Sequence, residues 1–372
     1  MPLRVVVAGG GTAGHVYPGL AVAETLRDRG HAVSFLGTER GLEARLVPAA
    51  GFPFDVLHAE PLVRQVSLAA MRAPLTALRA VGECRPLVRG ADVVVGMGGY
   101  VSVPAVLAAR RERIPVTLHE QNAVPGLANR ALAGMAAAVG VSFPETTKRF
   151  EGRRRTVAVT GNPVRRQVLL VPQGRSALAE EGRRKLGLEA GRRTVVVFGG
   201  SQGALHIDRA AAGVSRLLAE RADLQIVLIT GPAHVDEIRR GLVTDGPLVV
   251  RSFGYLDRME LAYACADLVV SRAGATTVAE LAACGLPALL IPYPHATGRH
   301  QEANARAVQQ SGAASVLRDD QVSAETLAER IESLVGHEER LRAMATSSAA
   351  LGRPDAAERL ADLATGIAHA DG

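Results

Sequence analysis

Short apolar runs broken by glycine loops set the rhythm of the chain. Residues 3–8 form a valine-rich run, followed by glycine-rich residues 9–14 and a helical pattern over 19–29. Strand-like segments follow at 31–36, 91–95 and 114–118, the second running into Gly96-Met97-Gly98-Gly99. The pattern then restarts. Residues 194–198 read as a buried strand, 199–203 as a glycine loop and 204–218 as a helix, with further strands at 224–230, 248–251, 268–271 and 288–291. Continuous apolar strands alternating with helices predict parallel sheets covered on both faces.

Two such series predict two Rossmann-like, doubly wound α/β domains. Proline and glycine at Gly161-Asn162-Pro163, after the basic run 148–155, place the linker there. The expected division is 1–161 and 162–354, with a last helix within 355–372 packing back on the first domain.

Composition narrows the class. Of 372 residues 48% are apolar and 22% charged, which excludes wholesale disorder. Three widely spaced cysteines, Cys84, Cys265 and Cys284, give neither a disulfide framework nor a zinc pattern, so a reducing compartment is expected. The first residues lack the layout of a signal peptide, and no apolar stretch approaches the ~18 residues a membrane span needs. The net charge is +6, carried almost wholly by arginine, because the only lysines are Lys148 and Lys185. Aromatics are 3% with no tryptophan, a poor supply of stacking platforms, so nucleic acid is not expected as a partner. Phosphate-bearing substrates or anionic lipid remain for the basic charge.

Four loops carry candidate chemistry. Gly9-Gly10-Gly11-Thr12-Ala13-Gly14 fits G-x-G-x-x-G between a strand and a helix, where backbone amides receive a pyrophosphate. The acid expected at the end of a dinucleotide site's second strand comes late, at Glu39, which weakens a dehydrogenase reading. His15 follows directly at a helix start, where the dipole favours the neutral imidazole of a general base; a histidine capping its own loop is the other reading. Gly96-Met97-Gly98-Gly99-Tyr100 offers a second glycine turn at a neighbouring strand end of the same sheet. Gly199-Gly200-Ser201-Gln202-Gly203-Ala204 repeats the device but lacks the Lys-Ser/Thr of a P-loop, which suits a diphosphate held without lysine. Glu280, three residues after Thr277, has the spacing of a capping box, or supplies a carboxylate to the two ribose hydroxyls of a nucleotide.

Taken in order, the segments Gly10 to His15, Gly96 to Tyr100, His119-Glu120-Gln121-Asn122, Gly161 to Arg165, Gly199 to Ala204 and Gly274 to Glu280 resemble the bacterial N-acetylglucosaminyltransferases of peptidoglycan synthesis. The likeness runs from the first strand to His300-Gln301-Glu302-Ala303-Asn304. It implies a GT-B glycosyltransferase with an interdomain cleft. The reaction is inverting transfer of N-acetylglucosamine from UDP-N-acetylglucosamine to the 4-hydroxyl of the muramyl sugar of lipid I, giving lipid II and UDP.

Carried over by position, the resemblance gives Glu280 to the ribose and the backbone of Leu256 to uracil. Ser201 and Arg165 go to the diphosphate side of the donor. Ala275, Thr276, Thr277 and Gln301 lie near donor sugar and phosphates, with Thr12, Ala13, Gly14 and Asn122 contributed by the first domain. Gly98, Gly99 and Tyr100 fall on the acceptor side. His300 stands where the family often has a first glutamine and Gly298 reads as an insertion, so the likeness carries further for UDP than for the sugar hydroxyls. His15 is the first choice of base and Glu120 the alternative. No D-x-D-like cluster is present and no metal or other cofactor is required, although a divalent-ion effect stays open.

The lipid acceptor further implies a peripheral enzyme on the cytoplasmic face of the membrane, with cell-wall and division proteins open as partners. Leu68, Met71, Leu75 and Leu78 recur at helical spacing with Arg72 and Arg79 beside them, a pattern that suits an anionic membrane surface or simply a core-facing stripe. Pro74 interrupts the helix in either case. Related readings share parts of the pattern: a GT-B transferase for another lipid or small-molecule acceptor, a nucleotide-sugar epimerase, and a non-catalytic membrane adaptor. Retention of His15, Glu120 and Asn122 argues against the last.

Overall fold

The computed structural model describes residues 1–57, 79–152, 155–200 and 203–370. The chain forms two units, one of Met1–Arg165 with Arg353–Gly372 and one of Arg166–Gly352. Unit 1 holds strands β1 (Arg4–Ala8), β2 (Ala32–Gly37), β3 (Phe54–Val56), β4 (Val93–Gly96), β5 (Val116–Glu120), β6 (Ala138–Val141) and β7 (Thr156–Val159). They form one parallel sheet in the order β3-β2-β1-β4-β5-β6-β7. Its helices are α1 (Ala13–Asp28), α2 (Glu43–Ala49), α3 (described over 79–88), α4 (Ser102–Arg111) and α5 (Leu127–Leu132).

Unit 2 holds α6 (Arg166–Leu169), α7 (Val171–Leu186), β8 (Arg193–Phe198), α8 (Leu205–Leu217), β9 (Leu224–Ile229), α9 (Val235–Gly241), β10 (Val249–Phe253) and α10 (Met259–Cys265). It continues with β11 (Leu268–Ser271), α11 (Ala275–Cys284), β12 (Ala288–Leu290), α12 (His300–Gln310), β13 (Ala314–Val316), α13 (Ala324–Val335) and α14 (Glu338–Leu351). Its parallel sheet runs β10-β9-β8-β11-β12-β13. The last helix, α15 (Ala356–Ala370), returns to unit 1 and packs against α1, β4, β5 and β6.

The valine runs are continuous because both faces of each sheet are covered. Along β1, Val5 and Val7 join the cluster that includes Leu20 and Leu26 of α1 and Leu360, Ala361 and Ala364 of α15. Val6 and Ala8, pointing the other way, join Ala105, Val106 and Ala109 of α4. Successive strand side chains alternate between faces, so a strand buried on both sides has no polar beat.

Two sequence readings need correction. α1 begins at Ala13, six residues before the predicted start at 19, and carries Pro18 inside it. The ring has no N–H to give and crowds the carbonyl four residues back, that of Gly14, which is why residues 13–18 did not read as helix. Four strands were also missed: β3, β6, β7 and β13, each of three or four residues. The membrane-stripe residues Leu68, Met71, Arg72, Leu75 and Leu78 lie outside the described residues.

The return of α15 gives a stability prediction. Leu360 is fully buried among β1, β4 and α1 side chains. Leu360→Ala should cost about 2–5 kcal/mol, the range for emptying a large aliphatic site, measured by denaturant unfolding of the full chain. A loss under about 0.5 kcal/mol, typical of a surface change, would show that α15 contributes no core.

Candidate active site

In an open parallel sheet the chain leaves every strand at its carboxyl end, and a crevice opens where two neighbouring strands send their chains in opposite directions. Unit 1 has that switch between β1 and β4, unit 2 between β8 and β11. The glycine loops occupy these positions. Residues 9–12 follow β1 and residues 97–101 follow β4; residues 199–204 follow β8 and 272–274 follow β11.

In unit 1 His15 lies in the first turn of α1, against the 98–99 turn. Gly99 is at φ 75°, and a Cβ there would stand 3.2 Å from the Gly10 carbonyl and 3.3 Å from the His15 ring. The two glycine loops therefore meet beside the imidazole, and the positive φ at Gly99 favours a residue without a side chain. The Tyr100 ring lies over Gly11. Thr12 is exposed at the start of α1 without a side-chain cap.

The first loop is not an open cradle. Glu43, fully buried, accepts the Gly11 N–H at 2.9 Å and the Thr38 N–H and hydroxyl at 3.0 and 2.8 Å. A carboxylate already sits where the dinucleotide reading wanted a pyrophosphate, and its charge opposes a second anion. That corrects the pyrophosphate expectation for residues 9–14.

The segment His119-Glu120-Gln121-Asn122 ends β5 and is a hydrogen-bond hub. Glu120 is 2% exposed and accepts from Asn122 N (3.0 Å), Asn122 Nδ2 (3.3 Å), Gly126 N (3.0 Å) and Asn129 Nδ2 (2.8 Å). Four donors fill a carboxylate's capacity. Glu120 thus anchors the 121–126 loop. Gln121 Nε2 donates to Met97 O at 2.7 Å and to His119 Nδ1 at 3.2 Å, so the imidazole proton sits on Nε2 and is given to Gly161 O at 2.9 Å. Asn122 is held at the loop entrance by Glu120. Arg165 stacks its guanidinium over Tyr17, 4.6 Å from the ring centre, two positions after His15 on α1.

In unit 2 the third glycine loop is bent tightly back on the sheet. Gly203, at φ 77°, would bring a Cβ to 2.0 Å from the Thr230 carbonyl after β9. Ser201 and Gln202 lie outside the described residues. Beneath the loop, the buried Asp208 accepts Ala204 N–H at 3.3 Å. Burial pushes its carboxyl up to about 7, against the Ala204 hydrogen bond and the Arg272 charge. Arg272, 8% exposed, donates to Ile291 O and Pro292 O and at 2.5 Å to Asp319, and lies over Tyr293. It braces the loop after β12.

Glu280 is no helix cap. The cap position of α11 is Gly274, without a side-chain bond, and Glu280 lies a turn further in. It is 3% exposed and accepts the Tyr263 hydroxyl at 2.8 Å. Ala275, Thr276 and Thr277 form the first turn of α11, with both threonines partly exposed. Leu256 lies in the loop after β10, and Gln301, in the first turn of α12, accepts Tyr293 N–H at 3.0 Å. All the unit 2 candidates described thus stand at the carboxyl edge of one sheet. Sequence reasoning missed Glu43, Asp208, Tyr263 and Asp319; Tyr263 and Asp319 hold groups 17 and 47 residues away, and Glu43 holds Gly11 32 residues away. A buried-acid signal existed only for Asp208, an acid in the first turn of a helix after a glycine loop. Among the described residues no group of three or more His, Cys, Asp or Glu side chains is placed to hold a metal ion.

Residues 5–141 match the glycosyltransferase family 28 N-terminal domain and residues 194–360 the family 28 C-terminal domain. The chain is 42% identical over 369 residues, covering 97% of it and 98% of the relative, to the UDP-N-acetylglucosamine--N-acetylmuramyl-(pentapeptide) pyrophosphoryl-undecaprenol N-acetylglucosamine transferase of Halothermothrix orenii. It is 43% identical to the like-named protein of Acidothermus cellulolyticus, with 97% of each chain covered. Among solved structures, MurG of Acinetobacter baumannii superposes with a TM-score of 0.78 at 31% identity, over 98% of this chain and 100% of that one.

The His119 hub gives a pH prediction. Burial pulls this imidazole from 6.5 to about 4, with the Gly161 hydrogen bond pulling back and His15 adding to the fall. An unfolded histidine binds a proton below about pH 6.5, the folded one only near 4. The stability is therefore whole above pH 6.5 and is lost as pH falls through the window between them. The thermal midpoint should decline across that window and the decline should be smaller in His119→Asn, by calorimetry. Equal slopes would put the acid sensitivity elsewhere.

Proposed function

The chain belongs to glycosyltransferase family 28, and from that premise we infer that it is the N-acetylglucosaminyltransferase that converts lipid I to lipid II. It moves N-acetylglucosamine from UDP-N-acetylglucosamine to the muramyl 4-hydroxyl of lipid I and releases UDP. The observation that supports this reading in the structure is Glu280, a buried carboxylate on α11, the helix that follows the switch-point strand β11 of unit 2.

The steps follow from what inverting transfer requires: an acceptor hydroxyl freed of its proton, attack on the anomeric carbon, and a diphosphate that leaves with its charge met. His15 takes the proton from the 4-hydroxyl as that oxygen bonds to the anomeric carbon, and the bond from carbon to the UDP oxygen breaks. The imidazole stands at the start of α1, packed on bare glycine backbone that fixes its plane. Tyr100 takes the acceptor side with Gly98 and Gly99, and Asn122, held by Glu120, serves the donor with Thr12, Ala13 and Gly14. Thr12, Ala13 and Gly14 present the exposed rim of the first loop.

Unit 2 takes the donor. Glu280 accepts the ribose hydroxyls and the Leu256 backbone reads uracil. The amides of the 199–204 loop, Ser201 and the first turn of α11 at Ala275, Thr276 and Thr277 meet the diphosphate, aided by Arg165. Gln301 gives its amide N–H to the donor sugar while its oxygen stays on Tyr293.

The polyprenyl tail of lipid I keeps the acceptor in the bilayer, so the enzyme works at the membrane surface. Among the described residues no helix is long and apolar enough to cross a membrane. A peripheral contact on the cytoplasmic face through residues 62–81 fits both facts. Residues 60–90 carry five arginines against two glutamates, and Arg79 is exposed.

Two measurements test this. Label transfer from UDP-N-acetylglucosamine to lipid I should fall about a hundredfold or more in His15→Ala, with UDP affinity little changed; near-normal turnover would remove His15 as the base. In co-sedimentation with anionic vesicles, wild type should pellet and Arg72→Glu, Arg79→Glu should largely stay in solution, with UDP binding as the folding control. Equal pelleting of the two would move the membrane contact to another face.

A further inference from the structure

We propose that Tyr263 is a positioning residue for donor binding: its hydroxyl fixes the Glu280 carboxylate for the ribose diol, and its ring ties that carboxylate to the diphosphate loop. The inference rests on the reading of Glu280 as the ribose ligand.

Three observations carry it. The Tyr263 hydroxyl donates to Glu280 Oε2 at 2.8 Å, between α10 and α11. Both side chains are almost fully buried, at 1% and 3% exposure, so neither swings freely. On its other side the Tyr263 ring packs at 6.2 Å and 52° against Phe198, the last residue of β8, directly before Gly199. One side chain thus touches the carboxylate proposed for the ribose and the strand end that launches the loop proposed for the diphosphate.

Chemistry explains why a tyrosine is needed there. A carboxylate accepts both hydroxyls of a vicinal diol only when its plane is fixed, and an unfixed glutamate spends binding energy on ordering its own rotamers. A hydroxyl donated to one oxygen sets that plane, and a donor to the charged group strengthens the arrangement. Phenylalanine would fill the same space and keep the contact with Phe198, so the hydroxyl is the part that space-filling alone does not account for.

The test separates positioning from packing through the ligand. Binding of UDP and of 2′,3′-dideoxyuridine 5′-diphosphate to the full chain is measured by calorimetry for wild type, Tyr263→Phe and Glu280→Gln. The expected result for Tyr263→Phe is about tenfold weaker UDP binding, the size of one charge-assisted hydrogen bond. Its affinity for the dideoxy ligand should be unchanged, and the KM for UDP-N-acetylglucosamine should rise while kcat holds.

Equal losses for both ligands, or no loss for UDP, would overturn the proposal and leave Tyr263 as packing. Glu280→Gln distinguishes the two levels of failure. If it is selective for UDP while Tyr263→Phe is not, only the tyrosine role falls; if it is unselective, the ribose reading of Glu280 falls first. The thermal midpoint of each variant checks folding. A fluorotyrosine at 263, which keeps the shape and alters only the donor strength, carries the same comparison should the phenylalanine variant not fold.

Discussion

Full burial of two parallel sheets is the constraint from which the site follows. Strands such as β1 and β8, covered by helices on both faces, have no surface of their own on which to do chemistry. What they offer is their carboxyl edge. In both units the loops at that edge part at the one pair of neighbours whose chains turn away from each other, β1 with β4 and β8 with β11. Glycine is favoured there by backbone conformation, φ 75° at Gly99 and 77° at Gly203, and at Gly203 a side chain would also collide with the Thr230 carbonyl.

Loops built from bare backbone need something to hold them, and here buried carboxylates do it. Glu43 takes the Gly11 amide, Glu120 the amides of Asn122 and Gly126, and Asp208 that of Ala204. A hydrogen bond from a backbone amide to a charged acceptor is stronger than a neutral one and costs no flexible partner. Glu120 shows the arrangement most fully, since its two oxygens accept four donors from Asn122, Gly126 and Asn129.

How far this was legible depended on the range of the interaction. The glycine loops were readable because their cause is local, a strand followed at once by a turn and a helix. The pairing of the loops after β1 and β4 followed from the grammar of doubly wound sheets. β6, Ala138-Val139-Gly140-Val141, and β13, Ala314-Ser315-Val316, were not readable, since three or four small residues show no period against their surroundings. The Thr277 to Glu280 spacing misled because a capping box needs its serine or threonine at the cap, and here Gly274 is there. The role of His119 was hidden for another reason: its partner Gly161 is 42 residues away. No local pattern announces such a bond.

The anchoring carboxylates also decide where a donor diphosphate is better placed. At the β1 loop, Glu43 is wholly buried behind the Gly11 amide that a phosphate would otherwise receive. A second anion there meets both a used donor and a negative charge that water does not screen. At the β8 loop the anchor is Asp208, whose carboxyl burial pushes up to about 7, so near neutral pH part of its charge is withdrawn. Arg272, held beneath by Asp319, adds positive charge on the same side. The two glycine loops look alike in sequence, yet the charge beneath one discourages an anion and the charge beneath the other is partly withdrawn. That difference favours unit 2 for UDP and leaves the first loop of unit 1 to shape the surroundings of His15.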